Sequence, residues 1–172
     1  MKTLKLLVLS LVLVSCGATV NYDYDKKTDF TKYKTYNYFS DIKSGLSELD
    51  MKRLLNELDA AMQARGFQKS DDPDFYIDIK SSEYQNNNGS NVGVGVGGGG
   101  RNVGGGISIG LPIGSSKLSR QIILDFVDKD RESLFWQAVS ESSYNPNATP
   151  EKREANFKAL VEKILSKYPP KQ

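Results

Sequence analysis

The sequence predicts an α+β fold. Two amphipathic helical stretches lie far apart in the chain, five strand-like segments surround them, and a glycine-rich tract interrupts the strands. The expected architecture is a two-layer sandwich: one antiparallel or mixed sheet with both helices packed on one face, plus a Gly-rich loop.

Each element has a local cause. Val20-Asn21-Tyr22-Asp23-Tyr24-Asp25 alternates apolar and polar residues, the period of a half-buried strand. Thr35-Tyr36-Asn37-Tyr38-Phe39 is rich in aromatic and β-branched types and predicts a second strand, with Phe30 and Tyr33 packing as an aromatic bridge between the two. Ser47 to Gly66 is the clearest helix. Ser47-Glu48-Leu49-Asp50 has the form of a capping box with Asp in place of Glu. Met51, Leu54, Leu55, Leu58, Met62 and Arg65 follow one helical face, and Gly66 supplies a left-handed stop. Asp71-Asp72-Pro73-Asp74 reads as a solvated turn, because its carboxylates lack the spacing of a Ca²⁺ loop. Phe75 to Lys80 alternates as a third strand that continues toward Tyr84.

Residues 85–114 hold 12 of the 15 glycines. Gly95 to Gly100 formally satisfies GxGxxG, but no amphipathic helix follows to present its N-terminus to a pyrophosphate, and no GK[ST] marks a P-loop. The tract reads as a surface insertion, with an extended hairpin over residues 92–113 as the sharper alternative. Gln121 to Val127 and Leu134 to Val139 form a hairpin around the charged turn Asp128–Ser133, which Asp128 and Asp130 shape. Trp136, the single tryptophan, is a core candidate. Thr149 caps the last helix with Pro150 in its first turn, and Phe157, Leu160, Val161, Ile164, Leu165 and Tyr168 trace its apolar face.

The first fifteen residues stand outside this fold. A basic start, Met1-Lys2-Thr3-Leu4-Lys5, precedes an apolar run from Leu6 to Val14 that is far short of the roughly 20 residues of a spanning helix. It ends Leu13-Val14-Ser15-Cys16, which resembles the bacterial lipobox. That resemblance implies cleavage before Cys16 and acylation of its sulfur and its new amine. The expected organisation is a signal peptide over residues 1–15 and a single lipid-anchored domain over 16–172. Two acyl chains suffice for stable anchoring, so the membrane is the first expected partner, through lipid on Cys16. Gly17, rather than Asp, follows the cysteine, which by resemblance to lipoprotein sorting rules implies the outer membrane and its periplasmic face.

Composition narrows the remaining chemistry. The sequence has no histidine and one cysteine, so it offers no Ser-His-Asp or Cys-His arrangement and no intramolecular disulfide. Loss of Lys2 and Lys5 with the leader leaves 21 basic residues against 21 acidic ones, and no basic face predicts a nucleic-acid partner. No catalytic, cofactor-binding or metal-ligating residue is nominated; Cys16 is the one site residue, as the point of lipidation.

The order of elements is more specific than any one motif. A Tyr-Asp-Tyr-Asp strand leads into Asp29-Phe30-Thr31-Lys32-Tyr33-Lys34-Thr35-Tyr36. A helix ending Ala64-Arg65-Gly66-Phe67 is followed by Pro73-Asp74-Phe75. The Gly-rich segment precedes Leu124-Asp125-Phe126-Val127-Asp128 and Leu134-Phe135-Trp136, and the last helix ends Tyr168-Pro169-Pro170. Together these resemble the bacterial lipoprotein family of domain of unknown function 4136, across nearly all of the chain after the leader. The resemblance implies a lipid-anchored α/β domain of the envelope and carries over no catalytic residues. The expectation is therefore a non-enzymatic accessory or binding module with an envelope protein as partner and no cofactor. The alternative is a small carboxylate-dependent hydrolase or glycan-binding envelope protein, and an assembly or pore role through residues 92–113 stands third.

Overall fold

The computed structural model describes residues 18–86 and 117–170. The leader, Cys16 and most of the Gly-rich tract lie outside the described residues. Within them the expected α+β arrangement is present: one mixed six-stranded sheet with two helices on one face.

The strands are β1 (Thr19–Tyr24), β2 (Thr35–Tyr38), β3 (Gln68–Lys69), β4 (Phe75–Asn86), β5 (Lys117–Asp128) and β6 (Ser133–Ser143), in spatial order β1-β6-β5-β4-β2-β3. The helices are α1 (Glu48–Ala64) and α2 (Pro150–Leu165). The centre, β1-β6-β5-β4, is antiparallel, whereas β2 runs parallel to both β4 and β3. A parallel pair needs a crossover, and α1 supplies it between β2 and β4. β4 does continue through Tyr84 as expected, whereas the two-residue β3 and the growth of β5 and β6 beyond their apolar cores were not legible in the alternation of residue types.

One face of the sheet carries the core. Phe75, Ile77 and Ile79 of β4, Ile122, Leu124 and Phe126 of β5, and Trp136 and Ala138 of β6 are buried against Leu54, Leu58 and Met62 of α1 and Phe157, Leu160, Val161 and Ile164 of α2. The expected helix faces are therefore the core faces, with Arg65 as the exception: it is exposed at the end of α1. Phe30 and Tyr33 do form an aromatic bridge, meeting on Phe135 at ring-centroid distances of 5.8 and 4.1 Å. A register shift between Phe126 and Val127 lets both Phe135 and Trp136 turn inward, which strict alternation forbids.

Side chains fix the ends of the elements. Ser47 Oγ accepts from the Asp50 N–H and Thr149 Oγ1 from the Lys152 N–H. Asp74 is no free member of its acidic turn: its Oδ2 accepts from the N–H groups of Lys34 and Thr35, at 2.7 and 2.8 Å, and so starts β2. Burial raises the Asp74 carboxyl and these N–H donors outweigh it, holding it below its ordinary range. Asp71 and Asp72 are exposed, as the solvated-turn reading expects.

Gly45 and Gly66 both have positive φ, +76° and +88°. A Cβ on Gly45 would stand 2.8 Å from the Ser81 carbonyl oxygen, whereas one on Gly66 would meet nothing within 4 Å. Left-handed backbone costs a non-glycine residue about 1–2 kcal/mol. Gly66→Ala is expected to lose about that amount, and Gly45→Ala distinctly more, because backbone must also move. Thermal unfolding of the two variants side by side checks the ranking; equal losses would refute the steric argument.

Candidate functional site

The richest polar cluster sits at one end of the sandwich, built from four elements. Asp50, in the first turn of α1, is buried, its side chain 1% exposed. Its Oδ2 accepts from Arg120 Nη1 of β5 at 3.0 Å and from Arg153 Nη1 of α2 at 2.9 Å, and its Oδ1 accepts from Arg53 Nη1 at 3.1 Å. Arg120 also donates through Nη2 and Nε to Glu83 Oε1 of β4, at 2.8 and 3.2 Å. The Arg120 guanidinium lies 3.7 Å from the centroid of the Tyr144 ring. Arg153 Nη2 and Nε donate to the carbonyls of Pro146 and Ala148. Arg53 Nε makes no hydrogen bond and lies 3.8 Å from Glu154 Oε1.

This arrangement corrects the capping-box expectation by half. Ser47 caps the helix, but Asp50 does not reach back to it; three guanidiniums take the carboxylate instead. Burial raises the Asp50 carboxyl, yet Arg120 and Arg153 overcome that and hold it below the ordinary carboxylate range. The sequence did carry a signal for the cluster. Arg120 is in phase with Ile122, Leu124 and Phe126, so extending that strand by one step places a guanidinium on the core face.

A small cleft adjoins the cluster, between Tyr144, Asn145, Arg120, Arg153 and Phe157. It has about 40 Å³ of room, enough for a few waters. All three nitrogens of Arg120 and all three of Arg153 already donate to protein acceptors. Among the described residues no Asp or Glu lines the cleft. The cluster acts as a clamp: it pins the first turns of both helices to the sheet.

A second cluster closes the opposite end. Asp128 Oδ2 accepts from Lys32 Nζ (2.8 Å), Tyr33 Oη (2.6 Å) and Arg131 Nη2 (3.1 Å), while its Oδ1 accepts the N–H groups of Asp130 and Arg131. The expected turn-shaping role is thus borne out for Asp128; Asp130 contributes only its backbone N–H. Burial raises the Asp128 carboxyl, but the Lys32, Tyr33 and Arg131 donors hold it far below its ordinary range. On the open face of the sheet, Lys80 bridges Asp78 and Asp125 at 3.1 and 2.9 Å, and Gln137 donates to Asp125. Among the described residues no group of three or more Cys, Asp or Glu is placed to hold a metal ion. No described helix is long and apolar enough to cross a membrane.

The expected site residue, Cys16, lies outside the described residues, but its sequence neighbour β1 is placed. Thr19 pairs with Glu141, which pairs with Gln121, which pairs with Ser82. The chain therefore enters the sheet at the Asp50–Arg120 end. From Arg120 to Asp128, eight strand residues put the second cluster about 27 Å away.

The family model described as "Domain of unknown function (DUF4136)" matches residues 20–170. No curated relative matches the chain. Among solved structures, the fold is similar to that of a PDZ domain protein from Parabacteroides distasonis, with a TM-score of 0.56 and 13% identity over 90% of this chain. This chain spans 36% of that one, so the likeness concerns one part of a longer protein. A PelC dodecamer structure from Paraburkholderia phytofirmans gives a TM-score of 0.49 at 11% identity, covering 91% of this chain and 100% of that one.

Proposed function

The chain belongs to the DUF4136 family, and from that premise we propose that it is an outer-membrane-anchored lipoprotein facing the periplasm, a non-enzymatic accessory or binding module of the cell envelope. The observation that carries the reading is Leu13-Val14-Ser15-Cys16 at the end of a short apolar run, with β1 starting only three residues beyond the cysteine. Acylated there, the domain needs no spanning helix, since each buried methylene contributes about 0.8 kcal/mol. Gly17 in place of Asp supports the outer membrane as destination.

The non-enzymatic part is supported by how the buried carboxylates are occupied. Asp50 is held by three arginines, Asp128 by Lys32, Tyr33 and Arg131, and Asp125 by Lys80 and Gln137. A carboxylate whose oxygens already accept from neighbouring side chains is not free to approach a substrate. The hydrolase alternative needs two carboxylates facing each other across a cleft, about 5–10 Å apart; the cleft beside Arg120 is lined instead by arginine, tyrosine, serine and asparagine.

The anchor is tested by Cys16→Ala in the native host. Acyl labelling and membrane retention are expected to disappear together, and retention of the unlabelled variant in the membrane fraction would refute the lipobox reading. The accessory role is tested by crosslinking in intact cells followed by mass spectrometry. Recovery of an envelope protein is expected; a chain that crosslinks to no protein would sink the role.

A further inference from the structure

We draw no further inference here: the strongest candidate, the helix-free face of the sheet, where the Phe39 and Tyr76 rings stack at a centroid distance of 5.0 Å in one row with Val127 and the exposed Leu134, is an unpartnered apolar face, and nothing in the structure shows what covers it.

Discussion

Asp50→Ala is expected to lower the unfolding free energy by about 3–5 kcal/mol, the cost of breaking a buried ion pair by removing one partner. The magnitude follows from which groups can return to water. Arg53 and Arg153 are 17% and 21% exposed and can turn outward. Arg120 is 7% exposed, fixed between Tyr144 and the sheet, and keeps only Glu83 when Asp50 is gone. Its guanidinium would remain buried with half of its charge compensation removed. A second variant separates this cause from simple loss of packing: Asp50→Leu combined with Arg120→Met replaces the pair by apolar side chains and should recover most of the loss. Equilibrium urea unfolding followed by Trp136 fluorescence measures both. A single-variant loss below about 1 kcal/mol would place the pair in the range of solvent-exposed ion pairs and refute the clamp.

The second large effect is in acid. The Asp50 and Asp128 carboxyls are both held below their ordinary range in the folded state. A carboxyl with a depressed folded pKa stabilises the protein above its unfolded pKa, near 3.9, and that contribution is lost as pH falls through the folded value. Stability is therefore expected to be flat with respect to these two groups from pH 7 to about pH 5. It should decline below about pH 4 and continue falling as the carboxyls protonate. Asp128→Asn removes one of the two titrations while leaving an oxygen to accept from Tyr33. The variant should be less stable than wild type at pH 7 and should approach it as pH falls. Asp128→Ala should cost about 1–3 kcal/mol at pH 7, mainly by leaving the buried Tyr33 hydroxyl without its acceptor. That is less than for Asp50→Ala, because Lys32 and Arg131 are 46% and 49% exposed and resolvate. Urea unfolding across a pH series checks the prediction; a gap between Asp128→Asn and wild type that is the same at pH 7 and pH 3 would refute it.

These two aspartates also mark where local reading ran out. Asp50 occupies the fourth position of a capping-box pattern, and by spacing alone it belongs to Ser47. Its partners, Arg120 and Arg153, are 70 and 103 residues away. Nothing in the helix pattern announces them, although the inward phase of Arg120 on its strand does. Asp128 was legible as a turn residue because it bonds N–H groups two and three residues on, but Lys32 and Tyr33 come from 96 and 95 residues away. Asp74 shows the same division: its turn is local, and the two N–H groups it holds are at the start of β2.

Periodicity, capping residues and turn chemistry were enough to identify both helices, the five principal strands, the single core and the family resemblance, because each depends on residues within a few positions of one another. The lipobox resemblance at Cys16 is local in the same way. The parallel insertion of β2 beside β4, the two-residue β3 and the inward turn of both Phe135 and Trp136 depend on pairing between distant segments, which alternation alone does not encode. So does the placement of the start of β1, Asp50, Arg120 and Arg153 at one pole of the sandwich. A side chain's facing direction is set by the period of its own strand or helix, but its neighbours are set by register across the sheet. Tertiary structure therefore decided which end of this domain carries the arginine clamp and receives the start of β1.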